Sequence, residues 1–147
     1  PNFGRADCLL CSSGKSSEAG ALNCHTCDDG FFQDPQDPQL SCRICPSYAT
    51  CAKGSNQSTL NVSRGFWRAS GLTLSTYECQ KIGGHTPCVG GVDASSAGYC
   101  FRGHHGPLCE LCHSDADGQE KYFSQLDARC HTCASVWPVV QWLPVVV

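Results

Sequence analysis

Cys24-His25-Thr26-Cys27-Asp28-Asp29-Gly30-Phe31-Phe32, followed after a polar loop by Cys42-Arg43-Ile44-Cys45-Pro46, decides what kind of fold this chain can make. Two Cys-x-x-Cys pairs enclose a glycine, two aromatics and the loop Asp34-Pro35-Gln36-Asp37-Pro38. The same pair recurs at Cys8/Cys11, Cys109/Cys112 and Cys130/Cys133, so ten of fourteen cysteines lie in five such pairs. A chain built this way is held by sulfur, bonded either to sulfur or to a metal.

Composition shows why covalent help is needed. Leu, Ile, Val and Phe together number 28 of 147 residues, and six of the nine valines lie within residues 136–147. The remaining body is too poor in large aliphatic side chains to offset the chain entropy lost on folding. Cysteine at about a tenth of the residues is the level of a disulfide scaffold or a metal array. Net charge is −3 with both signs interspersed, so no basic stripe suited to nucleic acid is visible. The chain starts at Pro1 with no charged-then-apolar leader, and it reads as a mature or excised piece of something longer.

Zinc competes with cystine at two places. Cys8-x2-Cys11-x12-Cys24-x2-Cys27 and Cys109-x2-Cys112-x17-Cys130-x2-Cys133 both have four-thiolate spacing. Three observations favour cystine. Cys51, Cys79, Cys88 and Cys100 have no x-x-Cys partner, yet the total is even. Asn56-Gln57-Ser58 and Asn61-Val62-Ser63 are two glycosylation sequons in one polar stretch, which points to the secretory pathway and to glycans on Asn56 and Asn61. Ten Lys and Arg are also few for a zinc module that binds nucleic acid. A redox role for Cys-x-x-Cys would need a low-pKa thiolate in a βαβ frame, and no such alternation of elements is present.

Helical periodicity is absent before residue 134. Gly30-Phe31-Phe32, Thr73-Leu74-Ser75-Thr76-Tyr77 and Lys121-Tyr122-Phe123 read as short strands between turns dense in glycine and proline. Cysteine pairs starting at 8, 24 and 42 form an imperfect repeat, and a cysteine-free interval spans residues 52–78.

Two halves carry different resemblances. Cys100-Phe101-Arg102-Gly103-His104-His105-Gly106-Pro107-Leu108-Cys109-Glu110-Leu111-Cys112 resembles the closing half of a laminin-type epidermal-growth-factor module, in which Gly103 and Gly106 take positive φ. That resemblance implies Cys100 with Cys109 and Cys112 with Cys130. The stretch from Cys24 to Pro46 is similar to the cysteine-rich repeats of tumour-necrosis-factor receptors and ephrin-receptor-like ectodomains. It implies Cys27 with Cys42 and, by repetition, Cys11 with Cys24. The order of elements across residues 8–133 also resembles membrane-proximal ectodomains of protist and algal surface proteins. Cys79 with Cys88 and Cys45 with Cys51 complete a sequential scheme that leaves Cys8 and Cys133 over. An interlocked first quartet, Cys8 to Cys24 and Cys11 to Cys27, stays open.

The expected fold is therefore small, disulfide-rich and elongated: tandem cysteine-rich modules of short β-strands and loops with little helix. Residues 1–51 form receptor-like repeats, 52–78 a glycosylated linker, 79–133 a laminin-type module and 134–147 an apolar tail. Within the linker, Gly65-Phe66-Trp67-Arg68 offers two readings. Phe66, Trp67 and Arg68 could form a protein contact, as Trp and Arg do at interfaces; the favoured reading is a mini-core with Trp67 over a cystine and Arg68 on an aromatic. His104-His105 reads as a solvated turn, and neither a metal nor a catalytic group is expected. The tail carries Trp137 and Trp142 and reads as the start of a membrane span after residue 147 or as a subunit-docking strand.

The function expected from these features is non-enzymatic: an extracellular structural or adhesive glycoprotein module that contacts protein partners or assembles with itself. A receptor ectodomain fragment and an intracellular multi-zinc protein are the alternatives. No cofactor and no nucleic-acid partner are expected.

Overall fold

The computed structural model describes residues 10–133 apart from 19, 20, 22, 40, 93–95 and 115. Trp137, Trp142, Cys8 and the tail at 134–147 lie outside the described residues. Among those described there is no α-helix; the elements are twelve strands of two to four residues and three 3₁₀ turns. No described helix is long and apolar enough to cross a membrane.

Six antiparallel hairpins follow one another along the chain. They are β1 (Lys15–Ser16) with β2 (Thr26–Cys27), β3 (Phe31–Gln33) with β4 (Cys42–Ile44), and β5 (Ala49–Thr50) with β6 (Asn61–Val62). Then come β7 (Phe66–Trp67) with β8 (Tyr77–Glu78), β9 (His104–His105) with β10 (Leu111–Cys112), and β11 (Lys121–Ser124) with β12 (Arg129–Thr132). Two-stranded hairpins this short are not stable alone in water. A half-cystine lies in or directly beside a strand of each.

Those cystines are Cys11–Cys24, Cys27–Cys42, Cys45–Cys51, Cys79–Cys88, Cys100–Cys109 and Cys112–Cys130. This is the sequential order, and Cys133 is left as an exposed thiol. Cys27 ends β2 and Cys42 opens β4, so the second bridge joins the first hairpin to the second. The longest sequence separation is 18 and the shortest 6. In the chain-entropy model such loops contribute about 2–3 kcal/mol each.

Between the cystines lie two small cores. Phe32, Ala49, Cys51 and Leu60 form the first, with Tyr48 and Leu74 packed against it. The second holds Val62, Trp67, Cys79, Cys88, Tyr99 and Cys109, flanked by Phe66 and Leu108. Full burial of one side chain such as Leu60 contributes about 1.5–3 kcal/mol.

Residues 52–78, read from sequence as a linker, supply Leu60 to the first core and Val62 and Trp67 to the second. Their backbone is bonded on both sides. Gly54 N donates to Cys27 O at 2.7 Å and Ser63 N to Tyr48 O at 2.8 Å; Gly65 N reaches Cys88 O at 3.0 Å. Val62 and Gly91 exchange both backbone bonds at 2.9 Å. That approach leaves no room at Gly90, where an added Cβ would stand 2.3 Å from Val62 O.

The expected strands at Phe31-Phe32 and Lys121-Tyr122-Phe123 are present as β3 and β11. The stretch 73–77 differs, since only Tyr77 enters a strand. Thr73 N closes a turn on Ser70 O, and Leu74 O accepts from the Tyr48 hydroxyl, so this backbone has a competing partner. In the loop at 34–38, Asp34 Oδ1 accepts from Gln36 N at 3.0 Å. Its Oδ2 takes Arg43 Nη1 at 2.7 Å, which ties the loop to β4.

Candidate functional site

The segment 65–68 turns inward. Gly65 takes φ 94 at the turn into β7, where Phe66 N bonds back to Ser63 O. Trp67 is then packed in the second core with Cys79 and Cys88, and Phe66 lies half-buried with its ring 6.1 Å from that of Tyr48. Arg68 is fully buried. Its Nε donates to Tyr99 Oη, Nη1 to Gln57 O at 2.9 Å and Nη2 to Ser58 O at 3.4 Å. The guanidinium also lies 5.5 Å from the Tyr99 ring centroid. Carbonyl dipoles and a ring face thus solvate this buried cation. Burial of Trp67 and Arg68 fits the mini-core reading of these two side chains, while Phe66 is only partly covered.

Asn56 caps the 3₁₀ turn Gln57–Thr59, its Oδ1 accepting from Ser58 N, Ser58 Oγ and Thr59 N. Asn61 is exposed on β6, with Val62 beside it facing the core. The adjacent histidines do not form a solvated turn. Both lie on β9, where alternation sends them to opposite faces. His104 is buried, its Nδ1 is 2.8 Å from Cys109 O, and Phe123 meets it edge-on at 5.9 Å. His105 stacks on His113 with centroids 4.1 Å apart.

His104 lies in the wall of a cleft of about 790 Å³ that no sequence motif announces. It forms where the turn before β7, the loop closed by Cys79–Cys88, the loop closed by Cys100–Cys109 and the β11–β12 hairpin converge. Arg64, Arg102, Lys121 and Arg129 line it, and no acidic side chain does so among the described residues. Pro87, Val89, Phe101 and Ala128 supply the apolar part of the wall.

Each cation is placed by a local constraint. Arg64 sits on the tight turn anchored by Gly65 N to Cys88 O. Arg102 occupies the turn closed by His104 N to Phe101 O at 2.9 Å, where Gly103 takes φ 89. Lys121 opens β11 and Arg129 opens β12. Arg129 Nη2 donates to the ring nitrogen His85 Nε2 at 2.7 Å, and Gln80 Nε2 donates to Gln125 O at 2.9 Å, so the hairpin is tied to the Cys79–Cys88 loop. Asp127, near the hairpin tip, points instead to His131 at 2.8 Å. Desolvation raises its carboxyl, yet hydrogen bonds from His131 and Ser124 outweigh that and hold it below the ordinary carboxylate range.

Sequence reading missed this cleft because its cations stand at 64, 102, 121 and 129, never in a run. The usable signal was the cysteine framework: once the pairing is known, these residues fall at the turns of adjacent loops. The chain matches no family model, no curated protein and no solved structure.

Proposed function

We propose that this chain is a non-enzymatic extracellular contact module, a structural or adhesive glycoprotein unit of a cell-surface stalk or filament. The observation that carries this reading is the strictly sequential order of the six cystines. Each closes a short loop, so the fold is assembled from small stapled units rather than around one large core. Cystines of this number belong to an oxidising environment. N-linked glycans on Asn56 and Asn61 and protein partners or copies of the chain itself are part of the proposal.

The intracellular zinc alternative loses its ligands, since twelve of the fourteen cysteines are bonded to sulfur and have no thiolate to offer. The receptor alternative uses surfaces such as Gly65–Arg68, and within that segment Trp67 and Arg68 are buried. Material from the native source, compared with a chain lacking residues 136–147, tests the reading. Retention at the cell surface or in a sedimentable assembly, lost on truncation, supports it. A monomeric secreted protein unaffected by truncation counts against it.

A further inference from the structure

We propose that the cationic cleft is a binding site for an acidic oligosaccharide, one bearing sulfate or carboxylate groups. The proposal does not depend on the assembly reading, since the cleft lies wholly within residues 64–130.

The charges lining the cleft favour an anion. The protein carries net −3, yet four cations and no described acid line one concave surface. Arg64 and Arg102 are both exposed and have no salt-bridge partner among the described residues. Like charges gathered on one surface cost stability, and a bound anion offsets that cost. Low-dielectric walls focus their field into the cleft. Guanidinium groups also match sulfate and carboxylate in shape, donating two parallel hydrogen bonds to one group.

A volume of about 790 Å³ falls within the range of about 300–1,000 Å³ typical of small-molecule sites. Phe101 is 57% exposed beside Arg102, and Val89 is 40% exposed nearby. A flat ring next to a cation suits a sugar, whose C–H face packs on the ring while its anionic substituent reaches the guanidinium.

Backbone accounting separates a sugar from a peptide. An extended peptide docks by adding its main-chain bonds to a free edge. Along this wall the relevant groups are engaged: Phe101 N with Pro87 O at 2.7 Å, Val89 N with Tyr99 O at 2.8 Å, and Gly103 O with His113 N at 2.9 Å. Side chains are left to hold the ligand. A single-stranded nucleic acid would call for several stacking rings in a row, and Phe101 is the one Phe, Tyr or Trp among the described residues lining the cleft.

Titration of the full-length chain with a heparin-derived sulfated tetrasaccharide tests this, followed by amide NMR and calorimetry at low salt. Tetragalacturonate distinguishes carboxylate from sulfate. Saturable shifts at Phe101, Arg102, Gly103 and Ala128 are expected. Affinity should fall at least about tenfold in Arg64→Ser/Arg102→Ser, which removes up to two charge-assisted contacts. It should hold in the charge-matched control Lys15→Ser/Lys53→Ser. The proposal is overturned by shifts lying outside the cleft, by equal losses in both double variants, by no binding of either sugar, or by tighter binding of octaglutamate or octathymidylate. The shift map uses the unmodified chain, so the test stands even where a variant misfolds.

Discussion

Arg68 and Tyr99, 31 residues apart, meet in the second core, with the guanidinium 5.5 Å from the ring centroid and Nε bonded to the phenolic oxygen. This pair binds the cysteine-free interval to the loops that follow it. Arg68 also takes the carbonyls of Gln57 and Ser58, so one side chain ties the 3₁₀ turn Gln57–Thr59 to the second core.

Replacing Arg68 should therefore be costly. Arg68→Met removes the donor to both the Gln57 carbonyl and the Tyr99 hydroxyl oxygen, and charge-assisted bonds of this kind contribute about 1.5–3 kcal/mol each. A loss of roughly 2–4 kcal/mol is expected in urea unfolding with the cystines intact. Arg68→Lys should recover little of it, because an ammonium cannot reach three acceptors in a planar fork. Unfolding midpoints of the two variants within error of the parent would contradict this role.

Gly90 and Gly118 share φ 73 but differ in surroundings. A Cβ at Gly90 meets Val62 O at 2.3 Å and Ser63 C at 2.8 Å, whereas nothing lies within 4 Å at Gly118. Gly118→Ala should show only the conformational cost, about 1–2 kcal/mol. Gly90→Ala should exceed it clearly and disturb the Val62–Gly91 bonds. Paired chemical denaturation of the two variants gives the comparison, with equal losses as the unfavourable result.

Tyr48 gives an alkaline signature. Burial pushes its phenol above the ordinary range, against the opposing pull of the Arg68 charge and a Thr76 hydrogen bond. A folded-state pKa above the unfolded value of about 10 means that the folded state holds its proton more tightly. The contribution is complete below that unfolded value and is lost as pH rises toward the folded one. Ionisation also removes the donor to Leu74 O. Stability should thus fall above pH ~10, and Tyr48→Phe should flatten this part of the pH profile. An unchanged slope in Tyr48→Phe would assign the effect elsewhere.

Removing cystines should rank by loop length. Cys27→Ala/Cys42→Ala opens a 15-residue separation and Cys45→Ala/Cys51→Ala one of 6, each bridge having one buried end, Cys27 and Cys51. The entropic terms are about 3 and about 2 kcal/mol. Thermal unfolding should place the first variant below the second, and a chelator should alter neither.

Much of the covalent plan was legible in the sequence. Resemblance to cysteine-rich repeats and laminin-type modules implied these partners, while spacing alone left an interlocked first quartet open. What could not be read was the side on which intervening residues fall. Polar surroundings and two sequons made residues 52–78 look like an exposed linker, yet Leu60, Val62, Trp67 and Arg68 are buried there. With so few aliphatic residues, the core recruits cystine sulfur, aromatics and one arginine, and it leaves no periodic pattern. The cleft was hidden for a related reason: Arg64, Arg102 and Arg129 meet only after cystines fold their loops together.

Peptide mapping under non-reducing conditions tests the central claim most directly. The account predicts six bridged pairs in sequential order, from Cys11 with Cys24 to Cys112 with Cys130, and no more than two cysteines outside them. Cys8 joined to Cys24 with Cys11 joined to Cys27, or a chain whose cysteines are reduced and hold zinc, would contradict it.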